Sequence, residues 1–196
     1  MIKHISNKLV RYLISSEVID DNADCIDYYR YGFEITISSL LNIVIILIIG
    51  ALMHHFLESV AFLLCFIPVR QFTGGYHADT YLKCNASFAI LFSLLILIFS
   101  LTVNYITNYA VLAMIIFSLT VFISECPVEH PNKKLNNDQK KRSKKIAILL
   151  GAIFGILGLI SELRSFTLGL IFPYTLVLIS LLVIVAAFKK IREEEA

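Results

Sequence analysis

Fifteen consecutive residues, RQFTGGYHADTYLKC at positions 70–84, hold most of the side chains in this chain that could do chemistry. In this polar segment, His77 and Cys84 are seven positions apart. A cysteine beside a histidine is the minimal unit of thiol catalysis, because the thiolate attacks and the imidazole takes or returns the proton. On one unbroken helix the two residues would be about 10.5 Å apart along the axis, beyond hydrogen-bond reach. The pair therefore requires a bend in the backbone.

The residues around this pair can supply that bend. Gly74 and Gly75 allow backbone conformations that other residues avoid. Asp79 is a candidate N-cap for the helix that follows. This arrangement would leave His77 in a loop, from which its side chain can fold back towards Cys84.

Arg70 opens the polar segment at the end of an apolar run. An arginine held at the bilayer centre would cost roughly 2.5 to 3.5 kcal/mol. We therefore expect Arg70 at the interface, where it could bind a carboxylate or a polarised carbonyl. Each of these residues also has an ordinary interpretation: a packing cysteine, an interfacial histidine and a glycine turn. A metal site built from His77 and Cys84 ranks behind these, and we expect neither a metal nor a cofactor.

The rest of the chain is far more apolar than a soluble protein: 58% of its 196 residues are hydrophobic and 16% are charged. Six apolar runs recur, at residues 35–53, 56–69, 86–103, 109–124, 146–160 and 166–188. A span needs roughly 20 apolar residues, and the second run reaches only about 21 Å. We predict an all-α polytopic membrane protein with about six transmembrane helices, the second one short. It would form one integral domain over residues 1–196, with the bundle at 33–188.

The distribution of basic residues predicts the topology. If the N-terminus is cytoplasmic and all six runs cross, the loops near His54, Asn104 and Arg164 face outward and hold one of the seventeen Lys and Arg residues. The polar segment and both termini would then lie on the cytoplasmic side of the cell membrane. All four cysteines fall on that side or within a span, where thiols stay reduced, so we expect no disulfide framework.

Residues 1–32 are predicted to form a cytoplasmic or interfacial helical region. Its apolar residues share one helical face: Ile2, Ile5, Leu9, Tyr12 and Leu13. This pattern is typical of a basic amphipathic helix in the membrane interface, and a helix packed on the protein itself is the alternative. Glu34 follows where the first span enters the bilayer. It would either pair with Arg30 at i to i+4 or support the polar segment.

Two further features concern partners. Residues 125–145 form the one long polar loop, with seven Lys or Arg against three acids; it could contact anionic lipid or attract an acidic part of a substrate. Gly151, Gly155 and Gly158 give a smooth helix face, suited to packing within the bundle or between two protomers of a homodimer. We expect the lipid bilayer as a partner and no nucleic acid.

The pattern R-x-x-x-G-G-Y-H-A-x-x-x-x-x-C at 70–84 closely resembles the signature of the accessory gene regulator B (AgrB) family. Residues 127–135 are similar to the family's P-x…N-K-P-L segment, with Lys134 at a position where proline is common. The resemblance covers most of the chain, since length, span order and basic loop agree.

The resemblance implies a membrane cysteine endopeptidase of bacterial quorum sensing that cuts a ribosomal propeptide of the AgrD type. It implies Cys84 as nucleophile and His77 as general base and acid, with Arg70 and Gly75 at further family positions. Cleavage would leave an acyl thioester, from which a substrate cysteine or serine would form a cyclic thiolactone or lactone. The alternative is a peptide transporter or exporter without proteolytic activity, which predicts charges within several spans. Spans three to six are almost free of them.

Overall fold

The computed structural model describes residues 2–16, 18–19, 22–74, 81–128 and 136–194. Within these ranges the chain is helical and contains no strand, which confirms the all-α prediction. The helices are α1 (Ile2–Ser15), α2 (Ala23–Leu52), α3 (Phe56–Thr73), α4 (Tyr81–Thr102), α5 (Asn108–Glu125), α6 (Asn137–Leu163) and α7 (Ile171–Glu194), with a 3-10 turn at Thr167–Leu170 before α7.

Six of the described helices, α2 to α7, are long and apolar enough to cross a membrane, as predicted. With 18 residues each, α3 and α5 are the shortest of these candidate spans. Helix α3 is nevertheless longer than its apolar run, because its hydrogen bonds continue through Arg70 and stop only at Gly74. At about 1.5 Å per residue it reaches about 27 Å, nearly the thickness of the hydrocarbon core.

Side-chain contacts show that successive spans run antiparallel. Phe62 of α3 packs on Phe92 of α4, and Phe66 packs on Phe88, with ring centroids 4.8 Å apart in both pairs. Later residues of α3 thus contact earlier residues of α4. The end of α3, the start of α4, the end of α5 and the start of α6 therefore share one end of the bundle. We call it the site end, because it carries Cys84.

The glycine stripe of α6 packs inside the bundle. A Cβ at Gly151 would lie 2.9 Å from the Phe122 ring, and one at Gly155 would lie 2.9 Å from Ile115, both on α5. At Gly158 a Cβ would lie 2.5 Å from Pro173 of α7. The stripe thus lets α6 approach its neighbours in the same chain closely.

Helix α1 packs along α2, but not through the apolar face that its sequence indicates. Ser6 and Val10 are buried, and the Ser6 hydroxyl donates to the Arg30 carbonyl at 2.8 Å. Ile5, Leu9 and Tyr12, which belong to the predicted apolar face, are exposed. The helix therefore packs on its own protein, as one alternative proposed, and leaves its apolar face uncovered.

The segment predicted as a long polar loop is partly helical. Helix α6 begins at Asn137, so residues 137–145 form its first turns, whereas 129–135 lie outside the described residues. The reason is a capping box: the Asn136 side chain accepts a backbone N–H at the helix start, and the Gln139 side chain accepts the Asn136 N–H at 3.0 Å. The lysines and the arginine that follow are good helix formers.

Candidate active site at one end of the bundle

Gly74 ends α3 and turns the chain at the site end. Its φ of 67° lies where L side chains are strained, and its N–H donates to the Arg70 carbonyl at 3.3 Å. A Cβ at this position would also lie 2.2 Å from the Val128 carbonyl oxygen. Both the conformation and the space therefore require glycine. Gly75 lies outside the described residues.

The segment that follows α5 packs on this turn. The Val128 N–H donates to the Thr73 carbonyl at 3.0 Å, and Gly74 and Val128 form an isolated parallel bridge. The turn that opens the 70–84 pattern thus meets the start of the 127–135 pattern. Neither pattern by itself indicates this contact, so it could not be predicted from the sequence.

Arg70 connects the turn to the thiols. Its guanidinium donates a hydrogen bond to the Gly74 carbonyl and lies within electrostatic range of Cys84 and Cys126. We expected Arg70 to bind a carboxylate or a polarised carbonyl, and one carbonyl that it binds belongs to its own chain. Arg70 therefore braces the turn and places a positive charge near both thiols.

Cys84 is the fourth residue of α4, in the first turn of the helix. Its side chain is partly exposed, and its thiol forms no disulfide. A helix N-terminus carries partial positive charge, so the helix and Arg70 both place positive potential at this sulfur. These are the surroundings in which protein thiols act as nucleophiles.

The other described thiols are buried. Cys65 lies in the core, and Cys126, at the end of α5, is 5% exposed. Burial raises the pKa of Cys126 to about 12, although Arg70 and Lys144 act in the opposite direction. Among the three thiols whose side chains the structure describes, Cys84 is therefore the one suited to react.

His77 and Asp79 lie outside the described residues, so the approach of His77 to Cys84 stays a prediction. Among the residues that are described, no group of three or more His, Cys, Asp and Glu side chains could hold a metal ion.

Glu34 faces the site end from α2, and it is 8% exposed. The ion pair with Arg30, one of the two alternatives for Glu34, is wrong, because the Arg30 guanidinium donates to Asp27 instead. Asp27 is largely exposed and the Arg30 side chain is partly exposed, so the two meet at little desolvation cost, whereas Glu34 is buried.

One turn along α2 from Glu34, the Ser38 hydroxyl donates to Oδ1 of Asn85 at 3.0 Å. Asn85 directly follows Cys84, so this bond fixes the start of α4 against α2. Sequence reasoning missed the pair; a polar residue beside the cysteine of an apolar helix was the signal.

Comparison with known proteins now decides the family. The family model described as Accessory gene regulator B matches residues 6–189. The chain belongs to the accessory gene regulator B family. It is 28% identical over 167 residues to the accessory gene regulator protein B of Staphylococcus saprophyticus, covering 81% of this chain and 84% of that protein. An AgrB-like protein of Clostridium perfringens is 27% identical over 183 residues, 86% of this chain and 81% of that protein. No solved structure matches.

Membership of the AgrB family confirms the resemblance seen in the sequence. It supports involvement in accessory gene regulator quorum sensing and implies an AgrD-type propeptide context. The six apolar helices agree with a multi-pass membrane protein.

Proposed function

We propose that this AgrB-family protein is a membrane cysteine endopeptidase. It cleaves an AgrD-type propeptide after the future ring and promotes cyclisation to an autoinducing thiolactone or lactone. The observation that carries the proposal is the environment of Cys84. Of the three described thiols it is the one that is partly exposed, and it lies in the first turn of α4 near the charge of Arg70.

In the first step the Cys84 thiolate attacks the scissile carbonyl. His77, in the role that the family resemblance implies, takes the thiol proton and returns it to the leaving amine as the C–N bond breaks. The product is an acyl thioester on Cys84 and a released C-terminal tail. In the second step a thiol or hydroxyl of the substrate attacks this thioester and frees Cys84. One thioester replaces another in the thiol case, so exclusion of water from the site would protect the yield.

Arg70 supports this chemistry from the end of α3. Its positive charge stabilises the attacking thiolate, and its hydrogen bond to the Gly74 carbonyl fixes the turn that leads to His77. Gly75 and Asp79 are the other proposed supporting positions, within the same segment.

The basic start of α6 lies beside the same site, since Lys144 is within electrostatic range of Cys126. Residues 140–145 contain five Lys or Arg. We assign them the role of attracting an acidic tail of the propeptide. The same bias of basic residues towards the site end supports its location on the cytoplasmic side of the membrane, together with both termini.

The test is co-expression of candidate propeptides with the wild type and with Cys84→Ala, Cys84→Ser and His77→Ala variants, followed by mass spectrometry. We expect cleavage by the wild type, none by Cys84→Ala, and a propeptide-derived acyl adduct on Cys84. Cys126→Ala is the matched control, because it removes a neighbouring but buried thiol, and it should retain cleavage. Full processing by Cys84→Ala would disprove the endopeptidase.

A further inference from the structure

A cleft of about 470 Å³ lies between α1 and α2. Its lining is mostly polar and consists of Lys3, Asn7, Asp27, Arg30, Tyr31 and Glu34. Glu34 is one helical turn from Ser38, whose hydroxyl donates to the residue after Cys84. The cleft therefore opens at the same end of the bundle as the nucleophile.

The Glu34 carboxylate faces this cleft without a counterion from the described residues. Glu34 is 8% exposed, and neither of the two ion pairs found in the described part of the chain includes it. Arg30, the cation one turn away, is committed to Asp27. Lys3 also lines the cleft, but it is exposed and solvated. The Glu34 oxygens are not among the buried polar atoms that lack a partner, so they are open to the cleft, where a cation that enters can pair with them.

The same face of α2 is short of hydrogen-bond donors further along. Glu34, Ser38 and Asn42 follow one another at i to i+4 spacing. Ser38 gives its proton to Asn85. The buried Oδ1 of Asn42 has no hydrogen-bond partner in the described part of the chain. Ser38 and Asn42 do not line the cleft, so the acceptor that a ligand in the cleft would meet on this face of α2 is the Glu34 carboxylate.

We propose that this cleft binds a protonated lysine or arginine side chain of the peptide substrate, with Glu34 as its counterion. The inference rests on the proposed endopeptidase and adds a determinant of its specificity. Through Ser38 and Asn85, Glu34 lies within about 20 Å of Cys84, a distance that about six extended residues span. The basic residue of the substrate therefore lies within about six positions of the scissile bond.

The first experiment tests the cation site without the protease reaction. Full-length Cys84→Ala protein in phosphatidylcholine nanodiscs is titrated with fluorescent N-myristoyl arginine amide and with its citrulline counterpart, which has the same shape but no charge. We expect the arginine probe to bind about tenfold to a hundredfold more tightly, after subtraction of empty nanodiscs. Glu34→Gln should abolish this preference, and Glu34→Asp should retain much of it.

The matched control is Glu162→Gln, a carboxylate near the end of α6 at the opposite end of the bundle, which should leave the preference unchanged. Asp27→Asn should weaken it, because a released Arg30 can turn to Glu34 at i to i+4. An equal affinity for both probes, or a preference that survives in Glu34→Gln, would overturn the inference. Glu34→Asp keeps the test decisive if Glu34→Gln does not fold.

The second experiment uses the propeptide that the wild type cleaves. Each Lys or Arg within six residues of the cleavage point is changed to Gln, and binding is measured to Cys84→Ala with and without Glu34→Gln. One peptide substitution should lose its effect when Glu34 is already changed. Cleavage without such coupling would overturn the inference and leave the endopeptidase standing. If the arginine probe is preferred but no propeptide is cleaved, the result would support the cation site and disprove the endopeptidase activity.

Discussion

The two ends of the bundle differ in how they treat polar groups. At the opposite end, the Thr102 and Tyr174 hydroxyls share a hydrogen bond of 2.6 Å, and the Thr102 hydroxyl also donates to the Ile98 carbonyl at 2.6 Å. At the site end a carboxylate lacks a counterion among the described residues, and a thiol is partly exposed. Satisfied groups hold a scaffold, whereas groups left without a full set of partners are available to a substrate. This comparison predicts that matched substitutions will affect stability at both ends but catalysis at only one.

The largest effect is expected from Gly74→Ala. A Cβ there would overlap the Val128 carbonyl, a backbone atom that cannot rotate away, and the φ of 67° adds strain. A displacement of about 1 Å in a catalytic segment can cost a hundredfold in rate. We expect cleavage per folded molecule to fall about a hundredfold or more. Cleavage is measured by mass spectrometry, with equal amounts of the protein that elutes as a monodisperse peak.

Gly50→Ala is the matched substitution towards the opposite end. Its Cβ would lie 2.4 Å from Oγ of Ser59, so it should also lose about 1 to 3 kcal/mol of stability from overpacking. Its cleavage rate per folded molecule should not change. Equal losses of rate in both variants would show that the turn at Gly74 has no special role.

Arg70→Lys is expected to have the next largest effect. Lysine keeps the charge but loses the planar group that reaches both the Gly74 carbonyl and the thiols. Loss of a hydrogen bond from a charged group, worth about 1.5 to 3 kcal/mol, predicts a fall in kcat of about tenfold to a hundredfold. KM should change little, because Arg70 acts on the turn and on Cys84, the proposed nucleophile.

The control for this prediction is Arg164→Lys, at the C-terminal end of α6. It should leave both kcat and KM unchanged. A rise in KM with unchanged kcat for Arg70→Lys would instead indicate that Arg70 binds the substrate directly.

The sequence predicted the scaffold better than it predicted the site. Hydropathy located all six spans, because a bilayer imposes length and apolarity on each helix separately. It ended the second span at residue 69, since Arg70 interrupts the apolar run, whereas the helix ends where Gly74 changes the backbone. The backbone conformation at Gly74 thus determines where α3 ends, and hydropathy does not detect it.

Contacts between distant segments were beyond the sequence. Gly74 and Val128 are 54 positions apart, and nothing local to either residue indicates that they pair. The choice of Asp27 over Glu34 by Arg30 depends on which carboxylate is buried, and burial is set by the packing of α1 and α2. The spacing along a helix shows which carboxylates Arg30 can reach, but their exposure to solvent determines which of them it pairs with.

Ser38→Ala should have a smaller effect. It removes the hydrogen bond to Asn85, which fixes the residue after Cys84. Hydrogen bonds between transmembrane helices average about 0.6 kcal/mol, so we expect cleavage to fall about threefold. Tyr174→Phe removes the bond to Thr102 at the opposite end. It should cost a similar free energy of unfolding, seen as a lower thermal midpoint, and leave the cleavage rate unchanged. A similar loss of rate in both variants would contradict this difference between the ends.

The smallest effect on cleavage is expected at Cys126, which instead contributes to the pH dependence of stability. Burial raises the pKa of Cys126 to about 12, so the folded protein keeps a proton that an unfolded thiol, with its ordinary pKa of 9.0, has already released. Between these values the unfolded state binds fewer protons, so stability falls as pH rises from about 9 towards 12. Cys126→Ala should show a smaller fall, measured as the change in thermal midpoint between about pH 8 and pH 10.5, because Cys65 remains as a second buried thiol.

The same contrast predicts different reactivity of the two thiols. Labelling with maleimide at about pH 8, with the modified sites mapped by mass spectrometry, should modify Cys84 and spare Cys126. Equal labelling of both would contradict the contrast between a reactive and a buried thiol beside the same arginine.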